Sequence, residues 1–327
     1  MLEYNTILRQ YLLTTDVVPS SLSAGGVLWL AVVGDPEMYE TILLPTDGSA
    51  GADDATTRGL DLARVADATV HVLSVVDTSS EPKGIDDAAA ETLRKQEEAR
   101  CRAATDRIVE QASDRGLEYV SKIRQGVPHQ AILEYADEHD VGLVVMGSHG
   151  RTGAERARLG STTERVITLG DVPVMSVPLG DTADTREGYG LYDEIVVATD
   201  GSDDAEAAAE NGIEIAEQYG ADVHAIYVVD TTIYDLEDAP RSIAGLLKEG
   251  GRQATEAVAA ESRERNLPVT TNVLRGLPDE EILAFADGVD ADLLVLGSRG
   301  RGAAPDRLLG SVAARVIEHT ERPVLTR

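Results

Sequence analysis

The chain has a single cysteine, Cys101, so neither a disulfide framework nor a cysteine zinc site can form within it. Cys101 lies in "QEEARCRAATDRIVE", a helical stretch with no motif that would activate a thiol, and reads as a spectator in a reducing, cytoplasmic compartment. Aromatic residues make up 4% of the sequence, with Trp29 the only tryptophan and Phe285 the only phenylalanine. The core must therefore be built from Val, Leu, Ile and Ala. Lysine occurs only at Lys83, Lys95, Lys122 and Lys248, and 58 acidic residues stand against 29 basic ones, a formal net charge of −29. Such a surface repels nucleic acid and anionic membranes, whose binding needs a basic patch. It points to a halophilic source, where high salt screens the mutual repulsion of the carboxylates, the plainer alternative being an acidic mesophilic protein.

Long hydrophobic runs are also missing. "GGVLWLAVVG" (Gly25 to Gly34) is apolar but too short to span a bilayer, and "MLEYNTILRQ" lacks the positive start of a secretory signal. Met38 opens "MYETILLPTDGS", which reads like a natural beginning. Residues 1–37 are thus expected to be a poorly ordered upstream extension, a mis-assigned start, or a short segment that touches a membrane or partner. The remainder is long enough for two domains, and an apolar fraction of 43% suits a globular protein.

What is present is a duplication. "TILLPTDGSAGADDA" (Thr41 to Ala55) matches "EIVVATDGSDDAEAA" (Glu194 to Ala208), and "ATVHVLSVVDT" (Ala68 to Thr78) matches "ADVHAIYVVDT" (Ala221 to Thr231). "RQGVPHQAILEYADEHDVGLVVMGS" (Arg124 to Ser148) matches "LRGLPDEEILAFADGVDADLLVLGS" (Leu274 to Ser298), and "DVPVMSV" matches "ERPVLTR". The order is conserved between the copies, giving a repeated domain of about 140 residues. The expected boundaries are 38–179 and 193–327, with a polar linker over 180–192. Within each copy, short β-branched runs such as "TILLPT" and "GLVVMG" alternate with helical stretches. Continuously apolar strands belong to parallel sheets covered on both faces. The predicted fold is α/β: two tandem Rossmann-like, doubly wound domains, each a five-stranded parallel sheet with helices on both faces. Ligands of such sheets bind beyond the carboxyl ends of the strands, where the winding reverses.

Two strand ends in each copy carry chemistry. The first reads Pro45-Thr46-Asp47-Gly48-Ser49 and Ala198-Thr199-Asp200-Gly201-Ser202. Asp47 and Asp200 can cap the helix that follows, or hold a ribose, a base edge or a metal ion, and the readings are compatible. The fourth strand ends in "GSHGRTGAERARLGST" and "GSRGRGAAPDRLLGSV", glycine-punctuated loops bearing Arg151, Arg156 and Arg158, and Arg299, Arg301 and Arg307. Both share the spacing Gly-x2-Gly-x9-Gly-Ser: Gly147, Gly150, Gly160-Ser161 and Gly297, Gly300, Gly310-Ser311. Glycines let backbone N–H groups approach an anion, and a helix opening at Gly160-Ser161 favours negative charge. The plainer reading is a tight turn before a capped helix. No Lys follows as in a P-loop, and a dinucleotide fingerprint would follow the first strand instead.

The pairing of "PTDGS" with "MGSHGRTGAERARLGSTTERV" resembles the universal stress protein family over both copies, in the form of its ATP-binding branch. The resemblance implies a tandem pseudo-dimer joined through the final strands "VPVMSV" and "RPVLTR", with further homo-oligomerisation and an unidentified protein partner open. It implies that Asp47 contacts adenosine beside Pro45 and Thr46, that Val75 and Val76 wall the base, and that Met146, Gly147, His149 and Gly150 run along ribose and phosphates. Gly160, Ser161 and Thr162 would close on the phosphates. The second copy offers Thr199, Asp200, Val228, Val229, Leu296, Gly297, Arg299, Gly300, Gly310, Ser311 and Val312. Three departures stand out. Ala198 replaces the proline, Arg299 replaces His149 and adds charge beside the phosphates, and Gly142 stands where Asp292 and the family have an acid, which is expected to loosen the first copy.

No residue offers itself as a shared catalytic base, since His149 pairs with Arg299, and His71 and His224 read as buried structural histidines. No cluster has metal-site spacing, so ligands for a Mg²⁺ accompanying ATP are not legible. The sequence therefore reads as an adenine-nucleotide (ATP) binding stress regulator acting through ligand-dependent conformation or partner choice. The alternatives are a slow ATPase or phosphotransferase, and a nucleotide-free scaffold.

Overall fold

The computed structural model describes residues 39–79, 86–150, 159–180, 191–232, 241–301 and 309–327. The expectations for residues 1–37, for most of the linker and for Arg151, Arg156, Arg158 and Arg307 fall outside these residues. In the first copy, β1 (Thr41–Pro45), β2 (Thr69–Asp77), β3 (Tyr119–Gly126), β4 (Leu143–Gly147) and β5 (Val174–Val177) alternate with α1 (Ala50–Ala66), α2 (Asp87–Asp114), α3 (Pro128–Glu138) and α4 (Ser161–Leu169). The second copy repeats this as β6 (Glu194–Ala198), α5 (Asp203–Tyr219), β7 (Asp222–Asp230), α6 (Arg241–Glu264), β8 (Val269–Gly276), α7 (Pro278–Gly288), β9 (Leu293–Leu296), α8 (Ser311–His319) and β10 (Val324–Thr326).

Local chemistry sets these limits. Ser49 caps α1 by accepting from the Ala52 amide at 3.3 Å, and Asp67 ends it in the left-handed conformation. Ser202 and Gly220 do the same for α5. Pro128 and Pro278 sit in the first turns of α3 and α7, where a missing N–H costs nothing.

Strand alternation divides the core into two layers. Ile42 and Leu44 of β1 face one side, with Leu60 and Ala63 of α1 and Ile108 of α2. Leu43 faces the other, with Ile132 of α3 and Val166 of α4. Each copy therefore has a parallel sheet covered on both faces, in the order β3-β2-β1-β4-β5 or its repeat. β5 and β10 then pair antiparallel, with Met175 opposite Leu325, joining everything into one ten-stranded sheet. Those residues occupy equivalent positions in the two copies, so a local two-fold axis passes between them. The pseudo-dimer expected through the final strands forms within the chain, and the outer edges fall to the half-exposed β3 and β8.

Gly142 does not undo the backbone. Its amide donates to Thr41 O at 3.0 Å, as that of Asp292 does to Glu194 O at 2.8 Å. What it lacks is the side chain: Asp292 Oδ2 accepts from the amides of Asp193 (2.8 Å) and Glu194 (3.0 Å). The space is taken by Tyr39, whose Cδ1 would lie 3.1 Å from a Cβ at position 142. His71 is buried, as expected, with Nδ1 3.0 Å from the Tyr135 hydroxyl. His224 is only half-buried and reaches Glu194 Oε2 at 2.6 Å and Thr270 Oγ1 at 2.8 Å, because it lies over the exposed edge of β8.

Candidate functional site

The winding of the first domain reverses between β1 and β4, and beyond their carboxyl ends lies a cavity of about 310 Å³. Its β1 side is rigidly built. The Thr46 amide donates to Leu73 O (2.8 Å), Ser74 Oγ donates to Thr46 O (2.7 Å), and the Ser49 amide donates to Asp47 Oδ1 (2.9 Å). Its far side is a loop folded back on itself. The Gly160 amide donates to Ser148 O at 2.7 Å, and Thr163 Oγ1 donates to Gly147 O at 2.8 Å. Gly147 packs so tightly on α1 that a Cβ there would lie 2.6 Å from Gly51 O. A Cβ on Gly150 would lie 3.1 Å from Asp47 Oδ2, which brings the two strand ends together.

The helix α4 starts without a side-chain cap, its N-cap being Gly160, and Ser161, Thr162 and Thr163 of its first turn line the cavity. Uncapped N–H groups with the positive end of the helix dipole suit an anion. His149 also lines the cavity. Its Nδ1 lies 2.9 Å from Ser148 Oγ, while its buried Nε2 has no hydrogen-bond partner among the described residues. No group of His, Cys, Asp or Glu among the described residues could hold a metal ion.

Pro45, Thr46, Asp47, Val75, Met146, Gly147, His149, Gly150, Gly160, Ser161 and Thr162 all line this cavity. Val76 does not: it is buried, because successive strand residues point to opposite faces. The same alternation brings in residues the motifs did not name, Leu73 and Asp77 flanking Val75 on one face of β2. Pro128 and Ile132 enter from α3, four residues apart on one helical face, and Ser49, Ala52 and Thr163 complete the lining. Alternation and helical spacing could have found them.

The second copy builds the same cradle but furnishes it differently. The Gly310 amide donates to Ser298 O (2.8 Å), the Thr199 amide to Ile226 O (2.9 Å), and the Ser202 amide to Asp200 Oδ1 (3.0 Å). Gly297 lies against α5 as Gly147 lies against α1, and α8 starts uncapped at Gly310 with Ser311 and Val312. Leu296 ends β9, Val228 is half-buried and Val229 is buried. Asp200 anchors the loop. Its Oδ2 accepts from the Arg301 amide at 2.6 Å, beside Gly300, while the Arg301 guanidinium donates to Gly201 O at 2.8 Å. Arg299 does not stand free beside a phosphate site: its Nε donates to Asp204 Oδ2 at 2.8 Å. Asp204 occupies the position of Gly51, so the pair Gly51 and His149 of one copy is replaced by Asp204 and Arg299 in the other.

The sequence model described as the Universal stress protein family matches residues 38–178 and 191–326. The chain belongs to that family. It is 42% identical over 143 residues to a universal stress protein of Methanocaldococcus jannaschii, covering 43% of this chain and 84% of that one. A universal stress protein of Mycolicibacterium smegmatis is 28% identical over 297 residues, covering 87% of this chain and 95% of its own length. The crystal structure of a universal stress protein from Archaeoglobus fulgidus superposes with a TM-score of 0.66 at 23% identity, covering 89% of this chain and 96% of that chain. The tandem arrangement of two family domains is therefore shared with full-length relatives.

Proposed function

We propose that this universal stress protein binds an adenine nucleotide, ATP in the first instance, in the cavity of its first domain, and that occupancy changes its conformation or choice of partner. The observation that carries the reading is the convergence of a carboxylate, Asp47, and the uncapped N-terminus of α4 on one cavity at the winding reversal. A carboxylate suits hydroxyl or amino donors of a nucleoside. The α4 end suits phosphate. Apolar walls from Leu73, Val75 and Met146 suit a base, and the orphaned His149 Nε2 suits a polar group of the ligand. Arg299 is tied to Asp204 where the first copy has His149 lining the cavity, which favours the first site over the second.

The test is thermal unfolding of the full chain in concentrated KCl, with and without ATP, for the native protein and for Gly160→Val and Gly310→Val separately. At a hundredfold excess over the dissociation constant, ligand adds about 2.7 kcal/mol, or roughly 5 °C. The shift is expected to vanish in Gly160→Val and largely persist in Gly310→Val. No shift with any adenine nucleotide would overturn the reading and leave a scaffold. Release of ADP that stops in Gly160→Val would move it to the ATPase alternative.

A further inference from the structure

A second and larger cavity, of about 650 Å³, lies at the opposite end of the sheet, between the domains. It opens at the amino ends of β1, β4 and β5, marked by Tyr39, Gly142 and Pro173, and α5 of the second domain closes it. Among the described residues, five carboxylates line it, Asp137, Asp140 and Asp171 from the first domain and Glu210 and Glu214 from α5, against the single cation Arg327. Arg265, the cation acting on Glu214, is committed to Glu217 and Glu261 at 3.2 and 3.4 Å.

Two buried polar atoms in this lining have no hydrogen-bond partner among the described residues: the Tyr39 hydroxyl, on a side chain 3% exposed, and Asn211 Oδ1. The local two-fold axis explains the first. Tyr192, the equivalent of Tyr39, directs its hydroxyl to Met175 Sδ at 3.5 Å, whereas the equivalent of Met175 is Leu325, which offers no acceptor. An unpaired buried hydroxyl and amide oxygen each cost free energy until something polar reaches them.

The mate of this cavity across the axis is filled. There Arg58 is buried, with its guanidinium over the Tyr192 ring at 5.4 Å. Tyr219 donates to Asp61 Oδ2 at 2.7 Å, and Arg322 binds Ala291 O and Asp287 Oδ1 at 2.6 and 2.5 Å. On the open side, Asn211 stands for Arg58, Ala66 for Tyr219, Val172 for Arg322 and Gly142 for Asp292. These four exchanges are all to a smaller residue and two of them remove a guanidinium, while Glu210 and Arg327 enter where the other side has Thr57 and Val177. The carboxylates stay: Asp137 for Asp287, and Glu214 for Asp61.

We infer that this interdomain cavity binds a small organic cation carrying guanidinium or ammonium groups, which takes the place that Arg58 and Arg322 fill across the axis. Its N–H groups would donate to Glu214, Asn211 Oδ1 and the Tyr39 hydroxyl oxygen, satisfying both orphaned atoms at once. A bare metal ion fits less well, since no group of ligating side chains among the described residues is close enough to hold one. Burial raises the Glu214 pKa, Arg265 draws it partly back, and the like charges of Glu210, Glu261 and Glu217 add to the rise.

Agmatine, with one guanidinium and one ammonium, is the probe. Calorimetric titration of the nucleotide-free full chain in KCl is expected to show saturable binding, equal in the native protein and in Gly160→Val. Glu214→Gln is expected to weaken it about tenfold or more, since hydrogen bonds to charged groups carry at least that much. Asn211→Arg, which restores the side chain found at position 58, should abolish it. Should that variant fail to fold, the exposed substitutions Glu210→Gln and Asp171→Asn carry the same test with weaker losses. Absence of saturable binding would overturn the inference. So would binding that survives both Glu214→Gln and Asn211→Arg, or that MgCl₂ at equal ionic strength reproduces.

Discussion

The hydrogen bond from Tyr219 to Asp61 ties the helices of the two domains together across the local two-fold axis, and it can be removed by a single oxygen. In Tyr219→Phe the ring keeps its edge-on contact with Tyr192, with centroids 4.9 Å apart and planes at 89°, so no cavity opens. The loss is then confined to a 2.7 Å bond onto a charged acceptor. Such bonds contribute about 1.5–3 kcal/mol. Asp61 keeps Arg64 at 3.0 Å and some solvent, its side chain being 23% exposed, so the lower end applies, about 1.5 kcal/mol. Burial, and then Tyr192 and Asp61, hold the phenol pKa far above its ordinary value, so it stays a donor at any workable pH. The expected fall in melting temperature is about 3 °C or more. Urea unfolding of Tyr219→Phe, Asp61→Ala and the double variant gives the coupling directly, and about 1 kcal/mol or more is expected between the two positions. A Tyr219→Phe loss below about 0.5 kcal/mol, or strict additivity, would show that this bond does not hold the domains together.

Gly147→Ala places a Cβ 2.6 Å from Gly51 O and 2.7 Å from Gly51 C, backbone that cannot yield without moving α1. It is expected to cost about 1–3 kcal/mol in a melt without ligand and to erase any nucleotide-dependent shift. Burial, and then His139, lower the His71 pKa, so the unfolded chain binds the proton more readily. The contribution of His71 is therefore present above the ordinary histidine value of about 6.5 and is lost as pH falls below it. His71→Gln should remove that part of the slope in urea melts between about pH 7 and 5, and an unchanged slope would refute the assignment. Cys101 is buried and its thiol pKa is pushed up chiefly by burial, so a thiol reagent should label it only in denaturant; rapid labelling of the native protein would contradict this.

The fold was legible because its signals are local. Continuous runs such as "TILLP" with caps at Ser49 and Ser202 specify buried strands and helix starts, and duplication displays each signal twice. The glycine spacing likewise located the loop, since Gly147 and Gly160 answer to backbone within reach of their own Cβ positions. Val75 against Val76 shows where motif reasoning ends: resemblance names a strand end, and only the alternation of β2 decides which neighbour faces the cavity. The engagement of Arg299 with Asp204 was illegible for another reason. The partners are far apart in sequence, and a guanidinium beside a phosphate-like loop gives no sign that a carboxylate on α5 has already taken it.

The same comparison of copies gives the divergence a physical logic. After duplication, both domains keep the backbone cradle, because the glycines and the strand ends that build it are constrained by close contacts. The side chains around it are not so constrained, and they have changed in matched sets. Asp204 arrived where Gly51 stands and Arg299 where His149 stands, so a charge pair occupies one site while the other keeps an orphaned imidazole nitrogen. Across the interdomain axis, Arg58, Tyr219, Arg322 and Asp292 fill one side, and Asn211, Ala66, Val172 and Gly142 leave the other open. The matched sets exchange occupied for open space, with Arg299 and Asp204 arriving together as a pair. Charged and aromatic side chains thus occupy one side where the other keeps open space around Tyr39 and Asn211. On the readings proposed above, the first-domain pocket and the open interdomain cleft are where the two ligands would sit.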